Sequence, residues 1–599
     1  MSAQDLRIAA LRTDYATGAT TVAAVMADVL ARVAAYDDPA VWIARVPEGE
    51  VMARAQALDA VPVAERGALH GVPFAVKDNI DVARMATTMA CPDAAFIPAV
   101  SAPVVDRLLA AGAVLVGKTN LDQFATGLVG VRSPHGAPRC VFDYNVISGG
   151  SSSGSAVAVG AHLVSFSLGT DTAGSGRVPA AFNNIVGVKP TRGAISTRGV
   201  FPANRTLDCV SIFAGTTADA SAVLEVAAGF DAGDPFSRQP APQPINATAP
   251  VIGVPTDASL TFFGDGLAQE GFADSLLKAS AMGTVVRFDY APFAEAAALL
   301  YGSAYVAERT HAVDALGVDR AALHPVTRQI LAGGDTFTAV DAFDALYRAA
   351  EATRALSGLW DEIDVMMVPT TPTVATVSAV EADPIEINKR LGTYTNFVNL
   401  MDLSAVAVPA GFRGDGLPHG VTFIAPAWCD GALSALAGRF HAAASAGYGR
   451  DRVALRPDDG ADGSGDGTVA LAVVGAHLTG EPLNGELTAR GARLSRTTRT
   501  AGDYRLFALP DTVPAKPGLV RTPGHEGEGI EVEVWQLSAA AFGSFVAAVP
   551  PPLGIGTVVL SDGAAVNGFI AEPFAVEGAE DITHHGGWRT YRRSLSRLS

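Results

Sequence analysis

At 599 residues the chain is too long for one ordinary core, and with 49% hydrophobic and only 17% charged residues it can fold compactly into two or more. A formal net charge of −18 repels phosphate backbones and anionic membrane surfaces, which argues against nucleic acid or membrane as a partner. The four cysteines (Cys91, Cys140, Cys209 and Cys429) form no CxxC pair, which argues against a zinc ribbon or a dense disulfide framework and fits a reducing cytosol.

The first residues, MSAQDLRIAALRTDY, carry charges where a signal peptide needs an apolar core, and no apolar run reaches the length of a membrane span. A soluble, cytoplasmic protein is expected. From Thr21 to about Tyr36 the apolar positions Val22, Val25, Met26, Val29, Leu30 and Val33 recur at helical spacing, which predicts a helix covering a core or meeting another subunit. GVPFAVKD (71–78) reads as a short buried strand whose lysine sits in an expensive place for an ammonium ion, unless it snorkels to water. SAPVVDRLLAAG (101–112) reads as a helix with Ser101 as N-cap and Gly112 as its stop, followed by the strand AVLVGKTN. Residues 112–119 match the phosphate-loop pattern GxxxxGK[ST], but the four central residues form a stiff apolar strand preceded by a helix. That context is wrong for nucleotide binding.

Repeated helix-then-strand units point to an α/β core, with further strands expected at 185–189, 251–254, 365–368 and 405–408. Past residue 449 the character changes, and RPDDGADGSGDG (456–467) is acidic and glycine-rich. The predicted organisation is a domain at 1–449, a flexible acidic linker at 450–467 and a smaller domain at 468–599. TVALAVVGAHL, DYRLFALP, GIEVEVWQL and GTVVLSDG are strand candidates of the smaller domain.

Hydrolysing an amide takes an oxygen nucleophile that can lose its proton, donors for the oxyanion, and a proton for the leaving nitrogen. Ser175, in the small-residue turn TAGSG, is the candidate nucleophile. Small residues let a substrate carbonyl approach the backbone, so the turn can offer N–H groups of Thr172, Ala173 and Gly174 as an oxyanion hole. None of the eleven histidines has an evident partnership with this turn; His135 and His162, the nearest in sequence, lie outside any glycine-rich setting. A desolvated lysine can replace histidine as base, and a serine of the GGSSSG cluster could relay the proton between Lys77 and Ser175. No HExxH or comparable ligand spacing is present, so neither a metal nor another cofactor is expected.

GVPFAVKDNI, GKTNLDQFATG, GGSSSGSA and GTDTAGSGRVPAAFNNIVGVKPTRG, in this order over roughly residues 20–448, resemble the amidase signature hydrolases. The separations of 74 residues from Lys77 to Ser151 and 24 from Ser151 to Ser175 match that family as well. The resemblance implies a mixed sheet flanked by helices, with Ser175 acylated, Ser151 bridging after a cis bond from Gly150, and Lys77 acting as base and then acid. Asp171 and Arg177 would hold the loop; Ser152 is open between a supporting role and simple satisfaction of loop backbone groups, and the latter is expected of Ser153.

The family's signature sets the chemistry without the substrate. In YGSAYVAER, a helical-looking segment, Tyr301 and Arg309 lie two turns apart on one face and could clamp a small carboxylate. The acidic linker and a C-terminal domain opening with VVGAHLTGEPLN extend the resemblance to the allophanate hydrolase family across nearly the whole chain. That resemblance implies that Tyr301 and Arg309 hold the carboxylate of allophanate. It also implies a C-terminal α+β domain of the γ-glutamyl cyclotransferase type that acts on the N-carboxycarbamate left behind, and a homodimer. His477, at the turn after VALAVVG, is the candidate in that domain, open between a catalytic and a structural role; His584 and His585 stay unassigned. The competing expectations are a broad-specificity aliphatic or aryl amidase with a structural tail, an amidase subunit of a tRNA amidotransferase, and a non-catalytic scaffold.

Overall fold

The apolar run PFAVK forms a fully buried strand of a long mixed sheet in the computed structural model, which describes residues 4–595 apart from 244, 248, 457, 458, 460–467, 491, 511 and 562. The chain divides into two compact units, Met1–Asp462 and Gly463–Ser599. Among the described residues, eleven strands build the sheet of the first unit. In chain order they are β1 (Trp42–Arg45), β2 (Pro73–Lys77), β3 (Val114–Thr119), β4 (Phe166–Asp171), β5 (Val186–Lys189) and β6 (Cys209–Ala214). They continue as β7 (Val251–Pro255), β8 (Thr284–Phe288), β9 (Val365–Pro369), β10 (Leu403–Phe412) and β11 (Pro418–Pro426).

Neighbours follow the order β1-β3-β2-β4-β6-β5-β10-β11-β9-β7-β8. β2 is parallel to both β3 and β4, whereas pairing from β4 across to β9 is antiparallel. Strands covered on both faces read as unbroken apolar runs, which is why β5, β7, β9 and β10 are visible in the sequence. Parallel pairing of β2 with β4 sets their C-terminal ends at one edge of the sheet, so Lys77 ends one strand beside Thr170 and Asp171 at the end of the other. Ligands gather at such edges in open α/β sheets.

Thr21 caps the helix Val22–Ala35 by accepting a hydrogen bond from the Ala24 N–H, and Val22, Val25, Met26, Val29 and Val33 are buried in the same core as Phe74 and Val76. The apolar face expected to meet a core or a subunit is therefore spent within this chain. Ser101 does not cap the next predicted helix: Pro103 starts the helix Pro103–Ala110 with Ala102 before it, and the Ser101 hydroxyl instead accepts from the Ala83 N–H. Proline suits a first helical position because its missing N–H has no partner there anyway. Within the rejected phosphate-loop match, Lys118 lies inside β3, fully buried and 2.9 Å from Asp78.

The expected linker is tied down where it is described. Arg456 reaches Asp5 at 2.9 Å, and Asp459 pairs with Arg7 at 2.5 Å. Residues 457, 458 and 460–467 of that predicted linker lie outside the described residues. The second unit is a smaller α+β body containing β12 (Thr468–Val473), β13 (Arg493–Arg499), β14 (Tyr504–Ala508), β15 (Pro517–Arg521), β16 (Glu531–Ser538), β17 (Leu553–Val559), β18 (Ala565–Ala571) and β19 (Glu580–Asp581). Five of these pair in the order β13-β16-β12-β18-β17 and three as β15-β14-β19, around a core that includes Leu471, Trp535, Phe545 and Trp588. No helix among the described residues is long and apolar enough to cross a membrane, and the four cysteines are buried and form no disulfide.

Candidate active site

Lys77, Ser151 and Ser175 meet in one buried hydrogen-bonded line. Lys77 Nζ donates to Ser151 Oγ at 2.8 Å, and Ser151 Oγ donates to Ser175 Oγ at 2.9 Å. Ser151 follows a cis peptide bond from Gly150, in the loop that leads into the helix Ser153–Gly160. The other two donor directions of the ammonium go to Ser152 Oγ at 2.9 Å and Thr170 Oγ1 at 2.7 Å. Ser152 thus holds the lysine head, and its hydroxyl also donates to the Thr170 carbonyl at 3.1 Å. Ser153 makes only a 3.4 Å bond to the Asn120 carbonyl, a loop-satisfying role.

Burial pushes the Lys77 ammonium down to about 7, while the charges of Asp122, Asp208 and Asp171 oppose a further fall. A lysine at that value is neutral in a substantial fraction of molecules near neutrality, as a general base must be. Asp122 carries no signal of its role in the sequence. Its carboxylate accepts from the N–H groups of Val129, Gly130 and Arg132 at 2.9–3.2 Å and so folds the loop that carries Gly127. The Gly127 carbonyl in turn accepts from Ser175 Oγ at 3.4 Å.

Asp171 and Arg177 hold the nucleophile turn from inside. The guanidinium donates to both carboxylate oxygens at 2.9 Å, and the N–H groups of Gly174 and Gly176 donate to the same carboxylate at 2.9 Å. Burial pushes the Asp171 carboxyl up, but Arg177, Lys189 and the Gly176 N–H outweigh it and keep it below its usual range. Arg177 also donates to the Thr395 carbonyl at 3.2 Å, and Thr395 Oγ1 donates to the Ala173 carbonyl at 2.6 Å. This geometry corrects one expected oxyanion donor: the Gly174 N–H is already engaged by Asp171. Among the described residues the N–H groups of Thr172, Ala173 and Ser175 have no acceptor.

Tyr301 and Arg309 do meet, but not for the reason expected. The segment is not one helix: Ala291–Gly302 ends, Ser303 is extended at φ −140° and ψ −175°, and a new helix runs Tyr305–Asp314. The break turns the second helix so that the Arg309 guanidinium lies 5.4 Å from the Tyr301 ring centroid. Arg309 is 2% exposed, its Nη2 donates to Asn204 Oδ1 at 3.0 Å, and its buried Nη1 has no partner. Arg132, equally buried, donates to the carbonyls of Thr126 and Pro384 at 2.8 Å and has a partnerless Nε–H. A buried donor without an acceptor is costly, about 1–3 kcal/mol and more for a charged group, unless something supplies one.

In the second unit, His477 lies in a cavity of about 230 Å³, stacked on Phe569 at 5.1 Å and edge-on to Phe545 at 5.2 Å. Its Nε2 is 3.2 Å from Glu486 Oε2, and Lys516 lines the same cavity. Burial pushes the imidazole below its ordinary value, against the pull of Glu486. Among the described residues no three His, Cys, Asp or Glu side chains converge to hold a metal ion.

Residues 24–433 match the family model described as Amidase, and residues 469–593 match the Allophanate hydrolase C-terminal domain. The chain is 41% identical over 573 residues to a urea amidolyase of Saccharomyces cerevisiae, and 42% identical over 574 residues to one of Lachancea kluyveri. Both alignments cover 93% of this chain but 31% of the relative, so the chain spans about a third of the length of these curated proteins. Among solved structures, Kluyveromyces lactis allophanate hydrolase superposes with a TM-score of 0.78 at 39% identity, covering 99% of this chain and all of that one. The matched span takes in Lys77, Ser151 and Ser175 together, and on these grounds the chain belongs to the amidase family, with an allophanate hydrolase C-terminal domain following the amidase region.

Proposed function

We propose that the chain hydrolyses allophanate (urea-1-carboxylate), with Ser175 as nucleophile, Ser151 as proton bridge and Lys77 as base and then acid. The observation that carries the reading is the unbroken buried line from Lys77 through Ser151 to Ser175, with Lys77 poised near neutrality. Neutral Lys77 takes the Ser151 proton while Ser151 takes that of Ser175, and Ser175 Oγ attacks the amide carbon. The N–H groups of Thr172, Ala173 and Ser175 itself meet the oxyanion. The proton returns through Ser151 to the leaving nitrogen, and ammonia departs. Water then repeats the relay on the acyl-enzyme and releases N-carboxycarbamate. Arg309, with its buried partnerless Nη1, and Tyr301 beside it supply the site for the substrate carboxylate.

In the second unit, the enclosed His477, held by Glu486, acts on N-carboxycarbamate, which takes up a proton at nitrogen and loses carbon dioxide. The cavity supports this by setting His477, Glu486 and Lys516 against apolar side chains such as Val474, Phe545 and Phe569, because partial desolvation of a carboxylate favours its loss as a neutral gas. The relatives named above support the substrate. The protein works in the cytoplasm, consistent with four cysteines that form no disulfide, and as a homodimer through a surface other than the apolar face of Val22–Ala35.

The test is ammonia release from allophanate and from a panel of simple amides, beside Ser175→Ala and His477→Ala. Wild type should turn over allophanate, Ser175→Ala should abolish this, and His477→Ala should release ammonia while N-carboxycarbamate accumulates. Turnover that survives in Ser175→Ala would discard the nucleophile. Simple amides cleaved with allophanate inert would leave a broad amidase with a structural tail.

A further inference from the structure

We propose that Asn204 and Asp208 are positioning residues that join carboxylate recognition at Arg309 to the alignment of the nucleophile turn. The proposal rests on the reading of Arg309 as the group that takes the substrate carboxylate. Both residues belong to FPANRTLDCV, a stretch with no catalytic signature, between β5 and β6.

The bonds form a continuous buried path. Asn204 Oδ1 accepts from Arg309 Nη2 at 3.0 Å, and the backbone N–H of Asn204 donates to Asp208 at 3.2 Å. Asp208 also accepts from the Ala203 N–H at 2.8 Å and from the Thr172 hydroxyl. Thr172 opens the turn that carries Ser175, so the path runs from the guanidinium to the nucleophile's own loop. Asn204, Asp208, Thr172 and Arg309 are all buried.

Asn204 cannot reorient freely within this path. Its Nδ2 donates to the Tyr305 carbonyl at 2.6 Å and to Glu308 Oε2 at 3.3 Å, both in the helix that carries Arg309. Flipping the amide would present a donor to the guanidinium and strand two donor contacts at once. The side chain therefore fixes one edge of Arg309 and leaves Nη1 as the donor for an incoming anion. A carboxylate bound there fills an open donor of a network whose other end is Thr172. The consequence is that a substrate carrying the carboxylate gains in kcat as well as in affinity, whereas a neutral amide of the same shape gains neither.

The experiment compares kcat and KM for allophanate and for biuret, its neutral isostere, and likewise for malonamate and malonamide, in wild type, Asn204→Ala, Asp208→Asn, Arg309→Ala and the Asn204→Ala/Arg309→Ala pair. Asn204→Ala should lower the carboxylate-to-neutral ratio of kcat/KM by about tenfold or more, the worth of a charge-assisted bond, and add little once Arg309 is gone. Asp208→Asn should lower kcat for the carboxylate substrates with KM little changed. A purely structural role would lower both members of each pair by the same factor and add to Arg309→Ala, and that result overturns the proposal. Wild type with no preference for the carboxylate in either pair overturns the underlying reading of Arg309 instead. Should Asn204→Ala fail to fold, judged by its Tm, Asn204→Ser gives the same contrast, since its hydroxyl is too short to reach the guanidinium.

Discussion

The sharpest quantitative consequence of the site lies in the buried lysine. Lys77 is fully buried and sits at about 7 in the folded protein against 10.5 when exposed, with desolvation as the cause. From pH 7 to 10.5 the unfolded chain binds a proton that the folded chain lacks, so stability rises with pH across that window; below pH 7 the folded state carries the full penalty of a buried charge. At about 1.4 kcal/mol for each pH unit inside that window, the Lys77 contribution should make the protein about 3 kcal/mol more stable at pH 9 than at pH 6. Lys77→Met removes that slope, so the difference between variant and wild type in urea unfolding should shrink by about this amount over the same range. In activity, wild-type kcat/KM should stand at about one-tenth of its plateau at pH 6 and about one-hundredth at pH 5, and Lys77→Met should lose about a thousandfold or more at every pH. Identical pH slopes of stability in the two proteins, or a wild-type rate flat from pH 6 to 8, would refute a desolvated lysine base.

Two further outcomes follow from the nucleophile turn. Arg177→Met leaves the Asp171 carboxylate buried without its partner and should cost about 3–5 kcal/mol in urea unfolding; a loss below about 1 kcal/mol would mean that the turn does not depend on the pair. Gly174→Ala places a Cβ 2.4 Å from Thr395 Oγ1 at a φ of +130°, which an L side chain rarely adopts. It should displace Ser175 and lower kcat about a hundredfold with KM little altered, and a variant with wild-type kcat would show that the turn has slack.

Several strands covered on both faces were legible because burial leaves an unbroken apolar run such as VMMVP in β9, whereas β4, β6 and β11 were not among the expected strands, since Ser, Gly, Thr, Asp, Cys and His interrupt their apolar runs. The serine–lysine geometry was legible because three short motifs each carry one member, and a lysine inside an apolar strand has few reasons to be there. The rest was hidden by the plainness of the residues involved. Asp122, Asn204 and Asp208 act by collecting backbone N–H groups or orienting a neighbour, and in a sequence such residues look like ordinary turn formers. The pairing of Tyr301 with Arg309 was legible as a pair but not as a geometry, because the two-turn spacing of Tyr301 and Arg309 outweighed the stop signal of Gly302 just before Ser303. The loss of Gly174 as an oxyanion donor was likewise invisible: it depends on Asp171 reaching forward across the turn.

The ion pairs of Asp5 and Arg7 with Arg456 and Asp459 have a consequence for inheritance as well as for folding. A body whose two ends are clasped together behaves as a cassette: chain added outside the clasp pulls on the clasp and not on the sheet edge where Lys77, Ser151 and Ser175 align. Such a unit can travel between polypeptides of different lengths with its chemistry undisturbed. The yeast urea amidolyases are longer polypeptides in which the matching region, which runs through this unit and on into the one after it, makes up 31% of the chain.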